Sequence, residues 1–305
     1  MRTETVPGDS EYVRVGDVRL HVRTAGPDER SEAGPESESD RGPADGPPVV
    51  LLHGFPEFWY GWHRQLDALA DAGHRVLVPD QRGYNLSEKP EGRDAYHVER
   101  LADDVTGLLD ALDHESAAVV GHDWGAMVAW VLAQEHPERV ERLGILNVPH
   151  PAAFGETLRS NWEQVFRSWY AGFFQVPRLP EAAMGARDYR LLTRMLTESA
   201  RPGTFSDDDL RRYRTAWSRE GALTGMVNWY RANGVGSGLF SRDTRIEPET
   251  LVLWGTDDVA LVEENAERSL QFCADGSLER FDGASHWLQH ERAEAVSERL
   301  VEFLG

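Results

Sequence analysis

Residues Val119 to Trp130 read VVGHDWGAMVAW. An apolar run leads into Gly-x-Asp-x-Gly, and a helix-forming segment follows. This is the pattern of a sharp strand-to-helix turn that lifts one side chain above the end of a sheet. The central residue in such a turn is usually serine; here it is Asp123. Gly121 and Gly125 supply the small residues that so tight a turn needs. A helix N-terminus favours a negative charge through its dipole and unpaired amides, which suits a carboxylate nucleophile. An aspartate is also a good helix N-cap, and the five-residue motif alone fits both readings.

Outward from this turn the chain alternates strand-like and helix-like segments. EYVRV and VRLHVRTAG read as an antiparallel hairpin turning at Gly16-Asp17. VVLLHGF and RVLVPD are apolar runs of buried-strand type, with the helical pattern WHRQLDALADAG between them. Tyr96 to Leu112 is helical, and so is AMVAWVLAQEHPERV up to Pro137; RLGILNV is the next strand. This alternation predicts an α/β fold with a mostly parallel sheet flanked by helices. The rhythm stops near Pro149. From there to about Arg242 the segments are helical and rich in aromatics, which reads as an inserted helical cap, or lid, domain. LVLWGTDD, SLERF and the final amphipathic AEAVSERLVEFL restore the α/β pattern. The expected organisation is a core in two parts, 1–148 and 243–305, around a cap at 149–242. Pro27 to Pro48 is acidic, rich in Pro, Gly and Ser, and poor in large apolar residues, so it reads as a flexible surface loop.

The chain has 305 residues, 40% of them hydrophobic, and a net charge of −20. Lys89 is the only lysine and Cys273 the only cysteine. The negative charge disfavours nucleic acid and anionic membranes as partners. Carboxylate-rich, lysine-poor composition points to adaptation to high salt. No apolar run reaches the length of a membrane span, and the first residues lack the apolar region of a secretory signal. With a single cysteine, the expected location is the cytoplasm.

A nucleophile in this setting needs a base and an acid that orients it. His286, in FDGASHWLQHE, follows a late strand; His290 is the alternative in the next helical segment. Asp257 and Asp258 both follow the strand LVLW. In chain order the candidates run nucleophile, acid, histidine, which is similar to the order found in α/β-hydrolases. The amides of Phe55, in HGFP, and of Trp124 are candidates for an oxyanion hole. Trp59, Phe174 and Trp287 are candidate pocket aromatics, although the same residues suit a core. Nothing in the sequence calls for a cofactor or a metal: there is no paired-cysteine motif and no phosphate-binding glycine loop.

HGFPEFWYGW, DQRGYNLS, GHDWGA, NVPHP, WGTDD and GASHW, in this order, resemble the epoxide hydrolase branch of the α/β-hydrolase family, over roughly Tyr12 to Leu304. The resemblance implies an α/β-hydrolase fold and hydrolysis of a small-molecule epoxide to a vicinal diol; the aromatics expected around the cleft suggest an apolar, bulky or aryl epoxide. It implies Asp123 as nucleophile, His286 as base and, by alignment on WGxxD, Asp258 as acid. Some relatives carry the acid after the strand ending ILN, where this chain has Asn147. SWYAGFFQVP and NWYRAN resemble the family segments that supply two lid tyrosines, here Tyr170 and Tyr230; Tyr189 and Tyr213 lack that context. Haloalkane dehalogenases share the Asp nucleophile and are the alternative. Many resemble His-Gly-Asn where this chain has Phe55, which removes one halide donor. A non-catalytic binding module on the same fold is the remaining reading.

Overall fold

The computed structural model describes residues 8–27, 46–234 and 236–305. Most of the acidic stretch from Pro27 to Pro48 lies outside the described residues.

One sheet of eight strands organises the chain, in the order β1-β2-β4-β3-β5-β6-β7-β8. β1 (Asp9–Val15) and β2 (Val18–Ala25) form an antiparallel hairpin whose last pair is Val15 with Val18. The turn is therefore Gly16-Asp17, with Gly16 at φ 50°, a conformation that glycine adopts without a Cβ penalty. β2 runs antiparallel to β4 (Val76–Pro79). From β4 onward every pairing is parallel: β3 (Val49–Leu52), β5 (Ala117–His122), β6 (Val140–Leu146), β7 (Glu249–Gly255) and β8 (Gly276–Phe281). β3, β4 and β5 are buried along their whole length, as expected of strands covered on both faces.

Helices α1 (His63–Asp71), α2 (Val98–Ala111) and α3 (Trp124–Glu135) connect the central strands. α1 and α2 bury one stripe, whereas α3 is buried from Gly125 through Ala133, the mark of a helix in the middle of a core. Between β6 and β7 the described residues contain six α-helices, a short 3-10 turn (Leu239–Ser241) and no strand: α4 (Pro151–Ser160), α5 (Trp162–Arg167), α6 (Trp169–Phe174), α7 (Leu179–Ser199, broken by non-helical backbone from Ala186 to Tyr189), α8 (Asp207–Trp217) and α9 (Ala222–Ala232). α10 (Glu264–Leu270), α11 (Leu288–Glu291) and α12 (Ala293–Leu304) complete the chain. Among the described residues no helix is long and apolar enough to cross a membrane.

This topology brings the C-terminal ends of β3, β5, β6, β7 and β8 to one edge of the sheet. In open α/β sheets that edge is where ligands bind. Because β3 and β5 are neighbours, with Leu52 opposite Gly121, the loop after β3 lies beside the turn after β5.

Candidate active site

Asp123 occupies the turn between β5 and α3 with φ 50° and ψ −125°, a strained region for a residue with a Cβ. The glycines beside it hold the turn closed. A Cβ on Gly125 would run into the Leu52 carbonyl, and one on Gly121 into the backbone of Ala126. Although Asp123 stands at the N-cap position, its side chain makes no capping hydrogen bond. The carboxylate turns instead toward the loop after β3, where the Phe55 amide donates to Oδ1 at 2.6 Å. Trp124 opens α3, so its amide is among those with no partner inside the helix. The strained backbone thus aims the side chain away from its own helix.

His286 lies behind the carboxylate, with Nε2 3.5 Å from Asp123 Oδ2. On its other side Nδ1 is 2.8 Å from Asp258 Oδ2. Asp258, not Asp257, makes this contact. It is buried and held from several directions: Asn147 Nδ2 donates to the same oxygen at 2.7 Å, and the amides of Ala260 and Leu261 donate to Oδ1 at 2.7 and 3.0 Å. Asn147, at φ 54°, also accepts from the Gly255 amide at 3.0 Å. The residue after β6 therefore positions an acid supplied by β7.

The electrostatics follow from this packing. Burial alone would depress the His286 imidazole, but the Asp258 charge and the hydrogen bonds to Asp123 and Asp258 outweigh it and raise it to about 10. Burial pushes the Asp258 carboxyl up, while the His286 charge and the bonds from His286 and Asn147 pull it further down, so its net shift is downward.

Above Asp123 lies a cavity of about 660 Å³, within the range of small-molecule sites. Its wall includes Asp123, Trp124, Tyr170 and Tyr230, with Met127, Val148, Phe154 and Leu261 among the apolar groups. The two tyrosines come from α6 and α9. Their rings stand edge to face, 6.0 Å apart, and Tyr230 also packs edge-on against Trp124 at 5.1 Å and Phe55 at 5.3 Å. Burial, and then the Asp123 charge, raise both phenols well above their ordinary value, so both remain protonated donors near neutral pH.

The three expected pocket aromatics stand elsewhere. Trp59 packs under the Arg23 guanidinium, and its amide donates to Asp80 Oδ1. Phe174 lies behind the tyrosines, 4.6 Å from the Tyr230 ring. Trp287 packs on His286 and His122 and donates its indole N–H to Ser199 Oγ at 2.8 Å. None of the three lines the cavity. They are large and buried, and aromatic content alone does not separate pocket from core.

Sequence reasoning also passed over Glu57. It is buried beneath the site and accepts from Tyr213 Oη at 2.6 Å and Gln289 Nε2 at 3.0 Å, with His290 Nε2 at 2.7 Å and His122 Nδ1 at 3.2 Å. Burial pushes its carboxyl up, but the His290 charge and the bonds from His122 and His290 hold it well below the ordinary value. His122 Nε2 in turn donates to the His286 carbonyl at 2.8 Å. His290, the alternative base, is consumed by this network. The available signal was a carboxylate inside the aromatic run FPEFWYGW.

A family model for the alpha/beta hydrolase fold matches residues 47–293. Epoxide hydrolase 1 of Caenorhabditis elegans is 35% identical over 303 residues, covering 97% of this chain and 70% of that protein. The chain belongs to the epoxide hydrolase branch of the α/β-hydrolase family. An AB hydrolase superfamily protein of Bacillus subtilis, YfhM, is 42% identical across 96% of this chain and 97% of its own length. Among solved structures, the epoxide hydrolase of Bacillus megaterium in complex with an inhibitor superposes with a TM-score of 0.83, at 28% identity over 96% of this chain and 99% of that one. Epoxide hydrolase A of Mycobacterium thermoresistibile gives 0.81 at 31% identity, over 98% of both chains.

Proposed function

We propose that this chain hydrolyses an apolar epoxide to a vicinal diol through a covalent ester on Asp123, with residues 149–242 acting as a cap between core parts 1–148 and 243–305. The observation that carries the reading is one cavity lined by a carboxylate and by two protonated phenols, with an imidazole directly behind the carboxylate.

Asp123 Oδ1 is engaged by the Phe55 amide, which leaves Oδ2 to attack. As Oδ2 bonds to a ring carbon, that carbon's bond to the epoxide oxygen breaks. Tyr170 and Tyr230 donate hydrogen bonds to the oxygen as it acquires charge; one phenol passes it a proton, so it leaves the step as a hydroxyl, and the phenolate regains through solvent the proton that His286 sheds once the Asp123 charge is gone. Phenols raised above their ordinary value suit this work, because they stay protonated until the alkoxide forms.

Ester formation removes the Asp123 charge. That charge and its hydrogen bond are among the influences holding His286 high, so alkylation lowers the imidazole toward its ordinary value and makes it a base. His286, oriented by Asp258, then takes a proton from water. The hydroxide attacks the ester carbonyl, and the Phe55 and Trp124 amides receive the oxyanion. Collapse releases the diol with the former Oδ2 and leaves the water oxygen in Asp123. The apolar wall and a volume of about 660 Å³ suit a bulky, aryl-type epoxide.

A single turnover of a styrene-type epoxide in heavy-oxygen water tests the route. Mass spectrometry of the Asp123 peptide is expected to find the label there, with an unlabelled diol. Label appearing first in the diol would exclude the ester. Release of bromide from a bromoalkane, without epoxide turnover, would reassign the site to dehalogenation.

A further inference from the structure

α5 and α6 carry an aromatic stripe that the cavity does not use. Trp162, Phe166, Trp169 and Phe173 recur at the spacing of one helical face. The first three are 79%, 75% and 70% exposed, and Val165, Val176 and Leu179 are exposed beside them. Single exposed apolar residues are ordinary, but a contiguous patch containing two tryptophans and a phenylalanine marks a surface made to be covered.

The segment that carries this patch differs in charge from the rest of the molecule. Residues 149–242 hold thirteen arginines, no lysine and nine carboxylates, a net +4. The remaining residues hold nineteen basic groups and 43 carboxylates, a net −24. Near the stripe, Arg159 and Arg178 are exposed, while the carboxylate of Glu163 is paired with Arg167 at 2.6 Å. The whole-chain charge of −20 argues against an anionic surface only if it is spread evenly, and it is not. Screening over about 8 Å at physiological salt makes the local charge the relevant one.

We propose that this face docks the protein on an anionic lipid bilayer, with the Trp162, Phe166 and Trp169 side chains seated at the headgroup level and arginines against the lipid charge. Aromatic residues on one side of a helix with basic residues around them are the elements of interfacial binding. A second copy fits less well. Lid against lid would set Arg159 and Arg178 against their own copies. Lid against the acidic core would join two different surfaces and build open chains. Val165, Ser168, Ala171 and Gly172 of the same two helices line the cavity, so docking would open a path for an apolar molecule dissolved in the bilayer. The docking itself does not depend on the epoxide reading and is measured without turnover.

Co-sedimentation of the full chain with vesicles tests it, using phosphatidylcholine alone and phosphatidylcholine mixed with phosphatidylglycerol. Binding is expected to the mixed vesicles, to fall as salt rises, and to be weak on phosphatidylcholine. The triple variant Trp162→Ala, Phe166→Ala, Trp169→Ala is expected to lose it, and Arg159→Glu with Arg178→Glu to weaken it roughly tenfold or more. Both variants should keep the wild-type melting temperature and turnover of a water-soluble epoxide, because the exchanged side chains are exposed. No sedimentation with mixed vesicles, equal binding to both vesicle types, or undiminished binding by the triple variant would overturn the proposal. So would a wild-type dimer in light scattering that the triple variant abolishes, which would assign the face to a second copy.

Discussion

Asp123, Asp258 and His286 hang from the ends of parallel strands, and polar contacts fix each of them. Asp258 alone accepts from Asn147, Ala260 and Leu261 while it faces His286. Tyr170 and Tyr230, on the opposite wall, are held mainly by ring packing. The Tyr170 hydroxyl has no hydrogen-bond partner among the described residues. The helices that carry them differ too. α9 is tied to the core: Trp229 donates to the Arg82 carbonyl at 2.9 Å, and the Asn233 side chain bridges Tyr96 and Val98. α6 has an exposed outer face. One wall is therefore a chain of charged groups fixed by polar contacts, and the other presents donors with hydrogen-bonding capacity to spare for a ligand. A substrate adds least to the first and most to the second.

The largest effect should come from stripping the second wall of its donors while its packing is kept. Tyr170→Phe with Tyr230→Phe is expected to lower single-turnover ring opening by about 10²-fold or more, the usual worth of a positioned acid, with the melting temperature unchanged. Wild-type ring opening in that variant would mean that both phenols only pack. The single variants should show Tyr230→Phe as the costlier, because α9 is the better anchored helix and Tyr230 touches Trp124, Phe55 and Phe174 at once.

Breaking the buried network beneath the first wall should instead cost stability. Glu57→Ala leaves Tyr213, Gln289, His290 and His122 facing a buried site without their acceptor. Removing one partner of a buried charge network destabilises by ~3–5 kcal/mol. Urea unfolding is expected to show a loss of that order with an unchanged m value. A loss below ~1 kcal/mol would mean that the network behaves like a surface pair.

The same contrast explains what was legible in the sequence. Strand-end residues announce themselves, because an apolar run followed by a polar residue has few other uses; Asp123 and His286 are legible that way, whereas choosing Asp258 over Asp257 needs the family resemblance, and the structure sets His286 3.5 Å from Asp123 and 2.8 Å from Asp258. The tyrosines needed the family resemblance, since helical periodicity says nothing about which helix roofs a cavity. Trp59, Phe174 and Trp287 misled because an aromatic side chain has the same pattern in a core as in a pocket. Glu57 was missed because its partners Tyr213, Gln289 and His290 lie 156 to 233 residues away. Asn147 was set aside as a poor acid, but its amide is what holds the acid in place.

The smallest expected effect is also the most specific to the relay. His286 is raised to about 10 in the folded state, against an ordinary 6.5. Its stabilising contribution is therefore complete below 6.5 and is lost as pH rises through about 10. Asp258 is lowered from 3.8, so its contribution is present above 3.8 and is lost as pH falls through its folded value. In Asp123→Asn the phenols and the Asp258 contact remain, but one negative charge beside His286 is gone. The imidazole should titrate at lower pH by NMR, and the alkaline edge of thermal stability should move down with it. That variant copies the charge state of the proposed ester, so an unshifted His286 would break the link between alkylation and activation of the base while leaving the tyrosine wall untouched.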